Sequence, residues 1–288
     1  MALSALVTLN VLNSIATLLL LSLGIGVIYG MMKVINFAHG EFLMLGAYAT
    51  VIAANAGVNI WIAMLIIAPV SVGLFGLVVE RCLIRHLYGR IIDTMLATWG
   101  LSLIIVGLVT SFIGTTIQGV STPLGGLSIG SYQTSVYNLF IIVMAALVTL
   151  VLWATLRFTR YGMIVRATMQ NPAMASALGV SPSRIYMGTF VLGSALAGLA
   201  GGIVAPISGV APTMGMAFMV KAFITVAGGG AAIITGTSLA AGLFGLVNEA
   251  TTFLTTPVFG QVAMLATAVV MIRILPQGIT GRFFRRNV

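Results

Sequence analysis

Val34-Ile35-Asn36-Phe37-Ala38-His39-Gly40-Glu41 places a histidine and a glutamate inside sequence otherwise apolar enough to sit in a bilayer. The stretch lies between two runs without any Asp, Glu, Lys or Arg, residues 1–32 and 42–79. Ionisable groups at that depth are costly and rarely kept for packing alone, so they mark a pathway or a polar joint. The expected fold is helical and membrane-spanning, with this octapeptide as its polar interruption.

Composition leads the same way. Of the 288 residues, 60% are hydrophobic and 6% charged, against about 25% charged in a soluble domain. Further runs without Asp, Glu, Lys or Arg cover 94–156, 185–220, 222–248 and 250–272. At about 20 residues per crossing, the runs hold roughly eight or nine transmembrane helices. Spans are expected near 9–29, 37–54, 60–79, 95–113, 136–156, 185–205, 219–235, 237–254 and 258–274.

A net charge of +9 could suggest nucleic acid, but the positions of the charges argue against it. Arg81, Arg85 and Arg90 fall between the third and fourth spans, and Arg157, Arg160, Arg166 and Arg184 between the fifth and sixth. Arg273, Arg282, Arg285 and Arg286 mark the end of the last span. These clusters alternate with uncharged loops near 55–59, 114–135 and 206–218, which is the pattern of the positive-inside rule. The arginine-bearing loops are therefore expected in the cytoplasm, with the amino terminus outside and the carboxyl terminus inside. Few basic residues are left for a nucleic acid, and none is expected as a partner. The first run has no basic flank and no small-residue cleavage site, so it is expected to be a retained span.

Enzyme chemistry finds little to work with. Cys82 is the one cysteine, so no internal disulfide can form; His86 lies a helical turn away, but no acidic orienter follows closely. A phosphate-binding loop needs Gly-Lys-Ser/Thr, whereas Lys33 precedes Val34 and Lys221 precedes Ala222. Histidines at 39 and 86 supply no HExxH site, and no CxxC exists, so neither catalytic nor metal-ligating residues are assigned. His39 and Glu41, two apart on a helix, diverge by about 200° and cannot share a site unless the helix is broken. The glycine pairs 26/30 and 198/202 have the GxxxG spacing that lets helices approach closely. Gly228-Gly-Gly230 suits close packing or a helix break rather than a nucleotide turn.

The stretch Gln170-Asn-Pro-Ala-Met-Ala-Ser-Ala-Leu-Gly-Val180 carries a full set of helix punctuation. Asn171 is placed to cap, Pro172 to take the first helical position and Gly179 to stop the helix in the left-handed conformation. Two turns are predicted over 172–178, with Met174 and Leu178 on one face and Arg166 and Arg184 flanking. Such an element suits docking in a groove on a soluble partner, or lying in the lipid headgroups.

Here a resemblance becomes specific. Residues 170–180 look like the cytoplasmic coupling loop, the EAA-type motif, of bacterial ABC importer permeases. VINFAHGEFLMLGAY at 34–48, TFVLGSALAGLAGG at 189–202, residues 218–242 and LPQGITG at 275–281 resemble, in order, motifs of the branched-chain amino acid and urea permease family. LYGRIIDTMLATWGLSL at 87–103 and QNPAMASALGV at 170–180 look more like its urea and short-chain amide subgroup than its branched-chain amino acid subgroup.

The resemblance implies an all-α polytopic bundle of roughly eight to ten transmembrane helices, like a type II ABC importer permease. It implies one permease domain over residues 1–288, with the coupling loop at 157–184, in the bacterial inner membrane. A second permease, making a heterodimer, two ABC ATPase subunits and a periplasmic binding protein are the implied partners. ATP and magnesium would be bound by the ATPase subunits, with no cofactor in this chain. Closure of the ATPases would push on 172–178, with Arg166, Gln170, Asn171, Met174, Leu178 and Gly179 as the coupling residues, and rock the attached spans around a pathway.

Strongly polar groups at bilayer depth are the candidates for that pathway: Asn36, His39, Glu41, Lys221, Asn248 and Glu249, with the hydroxyls of Thr94 and Thr98 suited to a neutral cargo. The other reading makes them helix-end residues, with Lys33 and Lys221 snorkelling and Glu41 capping a half-helix. An ion-coupled secondary transporter would also be polytopic, but it usually carries more acidic residues at mid-bilayer than Glu41 and Glu249. The expected cargo is urea or a short-chain amide, with branched-chain amino acids as the alternative.

Overall fold

A computed structural model describes residues 2–129, 132–230 and 232–284. Helix α1 (Ala2–Met32) is followed by α2 (His39–Asn55), α3 (Ile60–Cys82) and α4 (Ile91–Ile113). Helix α3 contains a π-helical turn at Ala63–Ile67, and a 3₁₀ turn at Ile84–Leu87 follows it. An antiparallel hairpin, β1 (Gly126–Ile129) with β2 (Tyr132–Ser135), pairs Gly126 with Ser135. Then come α5 (Val136–Phe158), α6 (Arg160–Gln170), α7 (Pro172–Ala177) and α8 (Pro182–Ser208). The chain closes with α9 (Met214–Gly229), α10 (Ile233–Leu254), α11 (Pro257–Ile274) and α12 (Gly278–Phe284). Arg285 and Arg286 of the last basic cluster, and the side chain of Arg282, lie outside the described residues.

Among the described residues, seven helical segments are long and apolar enough to cross a membrane. The expected spans near 37–54 and 219–235 fall instead on shorter helices, α2 with 17 residues and α9 with 16. The reasons are local. Helix α1 continues to Met32 and ends at Lys33, whose φ of +55° cannot continue a right-handed helix, and α2 starts again only at His39. Helix α9 stops before Gly230, with φ +83°.

The chain divides into two compact units, residues 23–120 with 150–219, and residues 1–22 with 121–149 and 220–288. In the first, α8 packs on α2 and α3 through small residues. Gly46 faces the Gly198 backbone, and a Cβ on Gly198 would lie 2.6 Å from the Ala68 carbonyl oxygen. One on Gly202 would lie 2.8 Å from Thr50 Oγ1, so the 198/202 pair does set close helix approach. Phe42 fills the gap between these helices, its ring edge-on to Phe75 at 5.4 Å and to Phe190 at 6.1 Å.

The second unit has its core around Phe244 of α10, with Leu18, Ala240, Ala241, Met264, Ala268 and Met271. Its glycine-rich segment is both a break and a contact. A Cβ on Gly229 would lie 2.5 Å from the Gly236 carbonyl carbon. Thr280 ties the break together, its Oγ1 donating to the Gly229 carbonyl at 2.6 Å and accepting from the Ala232 N–H at 3.1 Å.

Candidate functional site

The interruption between α1 and α2 is a polar joint buried inside the first unit. Lys33 lies over the Tyr29 ring, 5.6 Å from its centroid. Asn36 is fully buried; its Oδ1 accepts the Ala38 N–H at 3.0 Å, at the entry to α2, while its Nδ2 has no partner. Glu41, in the first turn of α2, accepts from its own backbone N–H and from the Ser102 hydroxyl on α4. A carboxylate at that end of a helix is favoured by the helix dipole. Its Oε2 is buried with no partner.

The joint keeps His39 and Glu41 apart, as their spacing requires. His39 packs toward α1, where a Cβ on Gly24 would lie 2.9 Å from its Cε1, whereas Glu41 turns to α4. The starts of α2 and α9 meet here as well: a Cβ on Gly215 would lie 2.8 Å from the Gly40 carbonyl carbon.

Helix α4 closes the joint with one buried stripe, Thr94, Thr98, Ser102, Ile105 and Val109, while Leu96, Trp99 and Leu103 on its other faces are exposed. The polar half of the stripe is largely committed. Thr98 Oγ1 accepts the Phe37 N–H at 3.1 Å and donates to the Thr94 carbonyl at 2.8 Å. Thr94 Oγ1 lies 2.7 Å from the Arg90 carbonyl oxygen and 3.1 Å from that of Leu87. These two hydroxyls hold backbone, whereas Asn36 and Glu41 each leave one polar atom open. The apolar half of the stripe faces a cavity of about 430 Å³ between α2, α3 and α4, walled by Leu45, Tyr48, Phe75, Ile105 and Val109 among others. The Tyr48 hydroxyl is buried without a partner.

Lys221, Asn248 and Glu249 belong to the second unit. All three are half-buried, and Asn248 Nδ2 donates to Ser14 Oγ on α1 at 3.3 Å. Within the first unit, Asn36, His39, Glu41, Thr94 and Thr98 come together around the joint. Ser102 was missed by sequence reasoning although its signal was present, since it extends the spacing of Thr94 and Thr98 by four more residues. Tyr48 carried no such signal.

The hairpin α6–α7 follows its punctuation closely. Asn171 Oδ1 accepts the Met174 N–H at 3.0 Å, and Gly179 has φ +84°. The predicted 172–178 helix forms over Pro172–Ala177, because Leu178 already occupies the cap. Met174 is 59% exposed and Leu178 78%, while Ala175 is buried. Arg166, Gln170 and Asn171 are exposed, and Arg166 with Arg157, Trp153 and Leu156 lines a cavity of about 310 Å³.

Among curated proteins, the chain is 28% identical to the high-affinity branched-chain amino acid transport system permease protein LivH of Salmonella typhimurium, over 93% of this chain and 92% of that protein. Its counterpart BraD of Pseudomonas aeruginosa is also 28% identical, with the same coverages. A probable branched-chain amino acid transport permease LivH of Methanocaldococcus jannaschii is 25% identical over 92% of this chain and 88% of that one. A solved structure, PsaBC from Streptococcus pneumoniae in complex with Fab, is similar at a TM-score of 0.49 and 11% identity, over 92% of this chain and 89% of that chain, too loose a likeness to carry an argument. The family described as branched-chain amino acid transport system / permease component matches residues 7–275. That match runs from α1 through α11, and the chain belongs to this family of multi-pass inner-membrane permeases.

Proposed function

We propose that this chain is a pathway-forming permease of an ATP-driven importer and that its cargo is a branched-chain amino acid. The relatives named above are permeases of branched-chain amino acid systems, and none supports the expected urea or short-chain amide cargo. Of the two motifs behind that expectation, residues 170–180 cover the exposed α7 and its flanks. Residues 87–103 run from the turn ahead of α4 into α4 and include Thr94, Thr98 and Ser102 at the joint, so the change of cargo rests on the relatives and on the open atoms of Asn36 and Glu41.

The observation that carries the reading is the pair of unpartnered buried atoms at the entry to α2, the donor Asn36 Nδ2 and the acceptor Glu41 Oε2. An amino acid zwitterion offers the complement, a carboxylate for the amide and an ammonium for the carboxylate. The apolar cavity one to two helical turns along α2 then suits an aliphatic side chain, whose burial is worth about 1.5–3 kcal/mol. Urea has nothing to place there.

Asn36, Glu41, His39, Thr94 and Thr98 form the joint in this reading, while Lys221, Asn248 and Glu249 are polar groups of the second unit taken by itself. Two ATPase subunits holding ATP and magnesium, a second permease and a periplasmic binding protein complete the importer. The exposed Met174–Leu178 face is the ATPase contact, with Asn171 and Gly179 fixing its ends. Uptake of labelled leucine and labelled urea by proteoliposomes containing the whole complex tests the assignment. Leucine should accumulate with ATP. Asn36→Ala and Glu41→Gln should each lower uptake by roughly tenfold, the cost of one hydrogen bond to a charged group. Wild-type leucine uptake in both variants, or uptake of urea in place of leucine, would rule the assignment out.

A further inference from the structure

Glu80, near the end of α3, is 1% exposed, and no ion pair to it is found among the described residues, Arg81 and Arg85 both being exposed. Its Oε1 accepts the hydroxyl of Tyr88, and its Oε2 is buried without a partner. A buried carboxylate held by one neutral hydroxyl costs free energy that a purely apolar contact would not. Tyr88 in turn sets its ring edge-on to Tyr186, 5.1 Å between centroids. Tyr186 lies in the first turns of α8, which follows the exposed hairpin α6–α7 directly. Two residues on, a Cβ on Gly188 would lie 2.8 Å from the hydroxyl of Tyr161 on α6, so the base of α8 is gripped from both sides.

The other end of this contact reaches the polar joint. Thr94 Oγ1 donates to the carbonyl of Leu87, beside Tyr88, at 3.1 Å. Thr98 Oγ1 donates to the Thr94 carbonyl at 2.8 Å and accepts the Phe37 N–H at 3.1 Å. Burial first, and then the hydrogen bond and charge of Glu80, push the Tyr88 hydroxyl's pKa up, so it stays a donor at any working pH.

We propose that Glu80, Tyr88 and Tyr186 form the strut that carries movement of the α6–α7 hairpin through the 84–90 turn to the joint at Asn36–Glu41. They are positioning residues, touching neither cargo nor nucleotide. The unpartnered Oε2 leaves the carboxylate a second arrangement when the turn shifts, which is what a two-state coupling element requires. The proposal rests on the reading of this chain as an importer permease with α7 as its ATPase contact.

The whole complex in proteoliposomes, with cysteine-free partner subunits, tests it. Tyr88→Phe keeps the ring on Tyr186 and removes only the hydroxyl; Glu80→Ala removes the acceptor; Glu80→Gln retains an oxygen that can accept. Tyr88→Phe and Glu80→Ala should keep receptor-stimulated ATP hydrolysis within about twofold while leucine imported per ATP falls at least fivefold. Glu80→Gln should stay close to wild type. Cys82, two residues past Glu80 and exposed, supplies a label site. A nitroxide there should change its mobility when ATP is trapped with vanadate in wild type and lose most of that change in Tyr88→Phe.

Unchanged leucine per ATP and an unchanged nitroxide response in Tyr88→Phe would overturn the proposal. So would an equal loss of hydrolysis and import, which would make the pair a folding contact. If Met174→Asp with Leu178→Asp also leaves coupling intact, the ATPase-contact reading fails; if it uncouples while Tyr88→Phe does not, the strut alone fails.

Discussion

Thr98 fastens the break ahead of α2 to α4: its hydroxyl oxygen accepts the Phe37 N–H at 3.1 Å, across 61 residues of sequence. The same hydroxyl donates to the Thr94 carbonyl, so one side chain satisfies a backbone donor that has left its helix. Thr98→Val keeps the shape and removes the acceptor, leaving a partly buried N–H unpaired at a cost of about 1 kcal/mol. Thr98→Ser retains it. The valine variant should lower the detergent melting temperature and the serine variant should not; equal stability in both would show that Phe37 finds another acceptor.

The contact of α2 with α8 leaves no room for a side chain larger than hydrogen. Gly46 faces Gly198 backbone, and Gly198 is itself closed in by Ala68 and Val72. Gly198→Val should force α8 off both α2 and α3, with an overpacking cost of about 1–3 kcal/mol. Gly57, with no heavy atom within 4 Å of an added Cβ, is the control for a steric effect, and its positive φ of +89° limits the comparison to small residues such as asparagine. Thermal stability of the purified chain should fall for the first and hold for Gly57→Asn.

Much of the helical architecture was legible because the membrane demands long uncharged runs. Residues 94–156 and 250–272 make up most of the helices α4, α5 and α11, which form where hydropathy places them. The hairpin's caps were legible too, since Asn171 and Gly179 act on their own neighbours. The breaks were not. Lys33 adopts a left-handed conformation that a lysine does not announce, and the start of α2 depends on Asn36 and on the distant Thr98. Glu80 escaped notice for a related reason: beside Arg81 and Arg85 it reads as a solvated charge, and its burial with the Tyr88 hydroxyl comes only with tertiary packing. Contacts made through tertiary packing leave no local pattern to read.

The isolated chain should bind leucine weakly. A pathway fed by a high-affinity receptor gains nothing from holding its cargo, because release has to stay fast. Asn36 and Glu41 also each spend part of their hydrogen-bonding capacity on α2 itself, leaving one atom apiece for a ligand. Titration calorimetry of the purified permease with leucine should give a dissociation constant no tighter than about millimolar, or about −4.1 kcal/mol. Micromolar binding would mean that the permease itself is a high-affinity receptor.

The exposed pair Met174 and Leu178 offers the sharpest separation of the importer reading from a membrane-surface one. Both side chains point away from their own hairpin, and burial of each in a partner groove is worth roughly 1.5–3 kcal/mol. Replacing both with Asp leaves the Asn171 cap and the Gly179 turn intact, so α7 still forms. The double variant should insert and purify normally, yet lose co-purification of the ATPase subunits and receptor-stimulated hydrolysis. If instead α7 lies in the headgroups, the charges would weaken adsorption to anionic vesicles while the ATPase stays bound, and coupling would have to enter through the Arg81–Asp93 segment alone.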